Sequence, residues 1–185
     1  MMNNLGTRTL TTDRLRLRRF TVDDVDAMFD HYASDPQVTK FLKWPAYTDK
    51  APLRDYLVET IASYDSDETY RWAIELLADG TLIGSIVAKG GHDDIEMKEI
   101  GYSFGRPWWG NGYATEAAGA VIKFLFDEVG VNRVEAVHDP ENPASGRVMA
   151  KCGMRQEGVL RAREHTNQGI RDAVMWAILA DDFGR

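Results

Sequence analysis

Gly110 and Gly112 lie in the run Glu99-Ile-Gly-Tyr-Ser-Phe-Gly-Arg-Pro-Trp-Trp-Gly-Asn-Gly-Tyr-Ala-Thr-Glu116, and their spacing is the clearest chemical signal in the chain. Two residues without a Cβ let the main chain turn sharply and approach a ligand closely, and the unpaired amides of a helix starting behind them can hold a pyrophosphate. No Lys follows the glycines as it would in a Walker loop, and Thr115 stands where a dinucleotide fingerprint needs a third Gly or Ala. A second pattern overlaps the first. Gly101-Tyr-Ser-Phe-Gly105 fits the Gly-x-Ser-x-Gly of serine hydrolases, with Asp139 and His165 downstream in a permissible order. That nucleophile must be followed at once by a helix, whereas Pro107 pushes Arg106 toward extended geometry and Gly105, Gly110 and Gly112 oppose helix, so hydrolysis on Ser103 is the minor reading.

Metal and thiol chemistry find little support. His31, His92, His138 and His165 are scattered without metal-ligand spacing, so no metal is expected. Cys152, the one cysteine, suits a reducing compartment and, beside the capping Gly153, reads as a packed thiol at a helix end.

The glycine turn has to be positioned by the elements around it. Ala114, Ala117, Ala118, Val121, Ile122, Leu125, Phe126 and Val129 keep an i, i+3, i+4 rhythm that predicts a long helix stopped by Gly130. Val134 to Val137 reads as a strand; Asn142 as N-cap, Pro143 at the first turn and Gly153 as C-cap frame a short second helix. Upstream, Thr21-Val-Asp-Asp24 resembles a capped start for a helix carrying Val22, Val25, Met28, Phe29 and Tyr32, and Leu53, Tyr56, Leu57, Ile61 and Tyr64 mark another. Segments 70–77, 81–89 and 96–104 read as a strand meander, and 154–164 with 170–179 as a hairpin. The fold class is α+β.

At 185 residues and 44% hydrophobic composition, one domain over 1–185 is expected. The net charge of −7 argues against direct nucleic-acid binding. The basic run Arg14, Arg16, Arg18 and Arg19 alternates with Leu15 and Leu17 and reads as a strand with one solvated face. No apolar run approaches a membrane span and Met1 to Leu10 lacks a secretory core, so a cytoplasmic protein without membrane contact is expected.

The order of glycine turn, long helix, strand and Asn-x-x-Ser helix resembles the GNAT superfamily of acetyl-CoA-dependent N-acetyltransferases. Trp109-Gly-Asn-Gly-Tyr-Ala-Thr-Glu116 and Asn142-Pro-Ala-Ser145 are most similar to its RimJ/RimL-type branch. The likeness runs from Leu10 to Leu179. It implies α/β/α layers around a mixed, mostly antiparallel sheet, with a splayed gap between the strands at 96–104 and 134–137 in which the pantetheine arm pairs like an extra strand. The family signature Arg/Gln-x-x-Gly-x-Gly/Ala falls on Trp109, Gly112 and Ala114. Trp109 departs from it, while the backbone cradle of Gly110, Asn111, Gly112, Tyr113, Ala114 and Thr115 needs no side chain.

The resemblance also implies roles. Phe104 borders the cofactor; Asn142 bonds the pantetheine arm, or is simply an N-cap. Ser145 lies near the thioester sulfur and serves the leaving thiolate, or faces solvent. A backbone N–H near Tyr102 receives the oxyanion. From its place at the entrance to the motif strand, Glu99, with Glu96 in reserve, is the candidate base for the amine, water being the alternative. The partners implied are acetyl-CoA and a primary amine, either a protein or peptide N-terminus or a small molecule, bound by a monomer or homodimer. A non-catalytic acyl-CoA-binding domain on the same fold is a further reading. Asp93, Asp94, Glu96 and Glu99 are either an attractor for a cationic acceptor or a charged surface loop; Trp44 and Tyr47 either wall its pocket or belong to the core.

Overall fold

The computed structural model describes residues 2–90 and 93–183, and of Asp93 the backbone alone; His92 lies outside the described residues. Strands β1 (Leu10–Thr11) and β2 (Leu15–Arg18) open the chain. Alternation along β2 buries Leu15 and Leu17 completely, while Arg16 and Arg18 meet the Glu75 carboxylate at 2.8 and 2.7 Å and Arg18 also holds Asp24 at 2.8 Å. The basic run is thus a strand face largely neutralised by acids.

Helix α1 (Asp24–Met28) continues into a wide π turn at Phe29–Ala33 and is followed by α2 (Pro36–Thr39) and α3 (Ala51–Ala62). The helix expected from Thr21 starts at Asp24, because the Asp24 carboxylate turns back to accept from the Thr21 amide at 2.7 Å. Val25, Met28 and Tyr32 still form its buried side. α2 has no hydrophobic repeat to announce it; the Asp35 side chain caps it through the Gln37 amide, and Pro36 supplies its first turn.

The meander β3 (Tyr70–Leu76), β4 (Leu82–Lys89) and β5 (Met97–Phe104) leads to α4 (Tyr113–Phe124), which widens into a π turn over Leu125–Val129 and stops at Gly130 with φ +76°. Then come β6 (Arg133–His138), α5 (Pro143–Lys151), β7 (Arg155–Thr166) and β8 (Gly169–Leu179). The eight strands form one sheet in the order β1-β2-β3-β4-β5-β6-β8-β7, antiparallel except where β5 meets β6. On one face α4 packs Ala117, Ala118, Val121, Ile122 and Phe124 with Trp72, Ile86, Ile100 and Phe104. On the other, Val25, Met28, Tyr32, Leu53 and Leu57 of α1, its π turn and α3 pack with Ala73 and Leu82. These are the expected α/β/α layers. Among the described residues no helix is long and apolar enough to cross a membrane.

The sheet parts in its middle. β5 follows β4 in register from Lys89↔Glu99 to Gly84↔Phe104, and β6 follows β8 from Arg133↔Leu179 to His138↔Val174. Between β5 and β6 only Met97↔Arg133, Lys98↔Val134 and Glu99↔Glu135 pair. Gly84 keeps β5 in its place: a Cβ there would drive into the Ser103 carbonyl and lie 2.9 Å from the Phe104 ring. Gly84→Ala should therefore lower the unfolding free energy by about 1–3 kcal/mol, the usual cost of overpacking. Urea titration of the variant checks this; unchanged stability would mean that β5 shifts freely.

Candidate active site

Backbone direction settles which groups face the opening. The Gly105 amide donates to the Ile83 carbonyl at 3.0 Å, so in the antiparallel ladder residues 99, 101 and 103 direct their backbone groups to β4. The Arg133 amide reaches the Glu96 carbonyl at 3.3 Å, which identifies the even-numbered residues of β5 as those facing β6. On β6 the Ala180 amide reaches the Asn132 carbonyl at 2.9 Å, so odd-numbered residues face β5. Beyond Glu99↔Glu135 the N–H and C=O of Tyr102 therefore point into the gap, opposite Val137, with no strand to receive them. Trp109, half exposed, donates its indole N–H to the Phe104 carbonyl at 2.7 Å. The tryptophan that replaces Arg/Gln thus closes off one carbonyl at the rim.

The gap belongs to a cleft of about 640 Å³ that runs from the α4 start, past β5 and β6, to the segment 37–43. Gly110 and Gly112 have φ of +76° and +83°, and a Cβ on Gly110 would meet nothing within 4 Å, so the backbone there is open to a ligand. Gly112 is the N-cap of α4; the amides of Tyr113, Ala114 and Thr115 begin the first turn without an acceptor within the helix. This array of amides fits a pyrophosphate. Arg147 and Lys151, one turn apart on α5, add positive charge to the cleft lining.

Arg14 fixes the turn from behind. It donates to the Asn111 carbonyl at 3.0 Å and to Glu116 at 2.7 Å, and its guanidinium lies 4.5 Å from the Tyr113 ring centre. Thr12 also bonds Glu116, at 2.6 Å. Burial opposes ionisation of Glu116, but Thr12 and Arg14 outweigh it and hold the carboxyl below its usual range. Asn111 alone among the expected cofactor residues does not line the cleft; its side chain folds back onto the Trp109 carbonyl at 3.1 Å. The Arg14 and Glu116 pairing has no sequence signal, since the two residues lie on separate elements.

The Tyr102 side chain points to the helical face and meets α5. Its hydroxyl lies 2.9 Å from Ser145 Oγ and donates to the Ser145 carbonyl at 3.2 Å. Burial pushes the phenol up to about 12, against the Ser145 bond, so it stays neutral and able to donate. Asn142 is the N-cap of α5, its side-chain oxygen accepting from the Ser145 amide at 3.4 Å, and it also lines the cleft. His138 stacks against the same helix; a Cβ on Gly146 would sit 2.7 Å from its Nε2.

Of the carboxylates that line the cleft, Glu99 and Glu164 are each paired with a lysine. Glu99, 15% exposed, pairs with Lys89 at 2.7 Å, and Glu164, 11% exposed, pairs with Lys43 at 2.7 Å. Glu164 was not among the sequence candidates: it sits in an irregular stretch of β7 whose register shift no pattern foretells. The Asp93 side chain lies outside the described residues; of Asp94, Glu96 and Glu99, Glu99 borders the cleft. Trp44 and Tyr47 stack on each other, centroids 5.5 Å apart, against the α1 and α3 core and do not line it.

The hydrolase arrangement does not form. Ser103 pairs with Ser85 at 3.1 Å, Asp139 is taken by Arg171 at 2.9 Å and by the Glu141 amide at 2.8 Å, and a 3-10 turn at Arg106–Trp108 follows Gly105 where a long helix is needed. Burial pushes the Cys152 thiol up to about 11, and it touches the Thr115 carbonyl at 3.5 Å, a packed group as expected. Among the described residues no three His, Cys, Asp or Glu side chains group as metal ligands.

A family model described as an acetyltransferase (GNAT) domain matches residues 14–155. The uncharacterized N-acetyltransferase p20 of Bacillus licheniformis is 31% identical, over 95% of this chain and 98% of its own length. The [ribosomal protein uS5]-alanine N-acetyltransferase of Escherichia coli is 27% identical over 94% and 92%. The crystal structure of a GNAT-family acetyltransferase from Bacillus anthracis superposes with a TM-score of 0.84 at 29% identity, covering 94% of this chain and 99% of that one.

The amide cradle makes one strong demand. At Gly112 a side chain would be strained by the positive φ and would obstruct the approach to the first-turn amides, with Arg14 already 3.4 Å from the Cβ position. Gly112→Val should weaken CoA binding by about tenfold or more, a loss of about 1.4 kcal/mol at least. Calorimetry reads it; parental affinity would place the pyrophosphate elsewhere.

Proposed function

This chain belongs to the GNAT acetyltransferase family, and from that premise we propose that it moves the acetyl group of acetyl-CoA to a primary amine by direct attack while both are bound. The observation that carries the reading is the gap itself, where Tyr102 presents unpaired backbone groups beside Ser145 and in one cleft with the glycine cradle. Bound there, the donor supplies an activated thioester. The new C–N bond replaces the C–S bond, the amine gives up one proton and the CoA sulfur gains one.

Each residue has a task in that exchange. The amides of residues 113–115, with Gly110 and Gly112 giving access, take the pyrophosphate. The Tyr102 N–H, fixed by the β4 ladder on either side of it, donates to the acetyl oxygen as charge builds there. Ser145 Oγ donates to the departing sulfur, and the Tyr102 hydroxyl holds Ser145 in place. Glu99 attracts the ammonium form of the acceptor and takes its proton, Lys89 yielding as the acceptor arrives. Holding both reactants in one cleft contributes through proximity.

The acceptor is expected to be a protein or peptide N-terminus or a small amine. Because one relative is an alanine N-acetyltransferase of ribosomal protein uS5, an alanine-initiated peptide belongs first in an acceptor panel read by thiol release. Turnover with a primary amine is the expected result; CoA binding without turnover on any amine would instead make this a non-catalytic acyl-CoA-binding domain.

With an acceptor in hand, Ser145→Ala should lower kcat with CoA affinity little changed, since its bond strengthens as negative charge reaches sulfur. Glu99→Gln should lose most at low pH. An α-amine titrates at about 8, so the free base grows scarce below that and a proton acceptor matters more. The ratio of parental to variant kcat/KM should therefore rise as pH falls from 9 to 6; a flat ratio would assign deprotonation to water.

A further inference from the structure

The segment from Lys40 to Lys50 joins α2 to α3 without regular secondary structure, and its first part, with Phe41, Leu42 and Lys43, walls the cleft on the side of Glu99 and Glu164. Such a stretch is held only as well as its few tertiary anchors hold it. The Tyr47 amide donates to the Ala33 carbonyl at 3.0 Å and fixes its later part; one side chain gathers the bonds of its first part. The Asn167 amide nitrogen, in the turn between β7 and β8, lies 2.7 Å from the Thr39 carbonyl, 2.9 Å from that of Leu42 and 2.9 Å from that of Trp44. The Asn167 backbone N–H donates to the Leu42 carbonyl as well, at 3.0 Å. Three carbonyls converge on a group with two hydrogens, so at least one N–H is shared, and only a donor satisfies all three. Close by, the Lys43 and Glu164 pair ties the same segment to β7.

We infer that Asn167 is a positioning residue for the acceptor: it does not itself line the cleft, yet through its bonds to the Thr39, Leu42 and Trp44 carbonyls it sets where the 39–44 wall stands and so how closely the amine is held. This rests on the transferase reading above. The cofactor side is built from the α4 turn, β5 and α5, whereas the Asn167 hydrogen bonds go to Thr39, Leu42 and Trp44. The two binding functions should therefore separate on substitution. Around the wall, Phe41 offers an apolar face and Lys43 and Glu164 a charge pair, which suits an acceptor with an apolar body behind its ammonium group.

The test uses Asn167→Asp, which keeps shape and the backbone bond but sets carboxylate oxygens against three carbonyls, and Asn167→Ala, which removes the donors. With an amine found in the acceptor panel, Asn167→Asp should raise the acceptor KM by about tenfold and Asn167→Ala by less, with the KM for acetyl-CoA and the calorimetric CoA affinity within about twofold of parental values. Amide hydrogen exchange is read on the same proteins: residues 39–44 should lose protection in both variants while β5 and the α4 start keep theirs. Unchanged acceptor KM overturns the inference, as does a joint fall in acceptor and CoA affinity, which would show a role in folding alone. If the parent acetylates no amine, the transferase reading fails and the acceptor role with it; exchange at 39–44 then separately decides the anchoring, which unchanged protection overturns and selective loss upholds.

Discussion

A parallel pair of strands that separates after three registered residues leaves peptide groups that the protein itself does not pair, and the rest of this molecule is arranged around that fact. Buried backbone donors and acceptors need partners, so a sheet tolerates such an opening only where water or a ligand completes the ladder. β5 is committed to β4 from Glu99 to Phe104 and β6 to β8 along its whole length, and the two ladders pull the strands apart like the sides of a wedge. Gly84 permits the first commitment. The bond between Trp109 and the Phe104 carbonyl reduces the number of groups left open at the wide end. What remains centres on the N–H and C=O of Tyr102, between the Ile100 carbonyl and the Phe104 N–H, the natural place for an extended ligand to pair and for a carbonyl oxygen to acquire charge.

The helix starts serve the same opening. α4 and α5 begin on one face of the sheet, one with an uncapped glycine N-terminus and the other with its first amides partly satisfied by Asn142. An uncapped first turn favours an anion, while the capped one presents Ser145 to Tyr102. The carboxylates Glu99 and Glu164 line the same cleft, each held by an exposed lysine that can give way to another cation. Free first-turn amides at α4 suit a phosphate-bearing donor, and carboxylates paired with displaceable lysines suit an amine acceptor.

Much of this is legible in the sequence, for identifiable reasons. Local features carry local signals: the apolar repeat of 114–129, the Asn142, Pro143 and Gly153 frame, and the Gly110 and Gly112 pair each act within a few residues and each reappears in the structure. The family resemblance supplies the gap, which no periodicity in 96–104 or 134–137 encodes, because splaying is decided by what lies on the far side of each strand. Contacts between distant elements stay hidden for the same reason. Arg14 with Glu116, Tyr102 with Ser145, and Asn167 with the 39–44 wall join positions whose individual residue types are unremarked in loops, strands and helix turns. Trp44 and Tyr47 illustrate the converse, since aromatics in a loop read equally well as a pocket wall or as core until packing decides.

The Tyr102 peptide stands at the centre of the unfilled stretch of the sheet. Amide hydrogen exchange resolved at Tyr102, measured with and without CoA, tests it directly. Because the flanking residues 101 and 103 are already paired to β4, their protection should change little, whereas the Tyr102 amide should exchange quickly alone and slow markedly once the ligand lies along the gap. A Tyr102 amide that is equally protected in both states, or one left fast by saturating CoA, would contradict it.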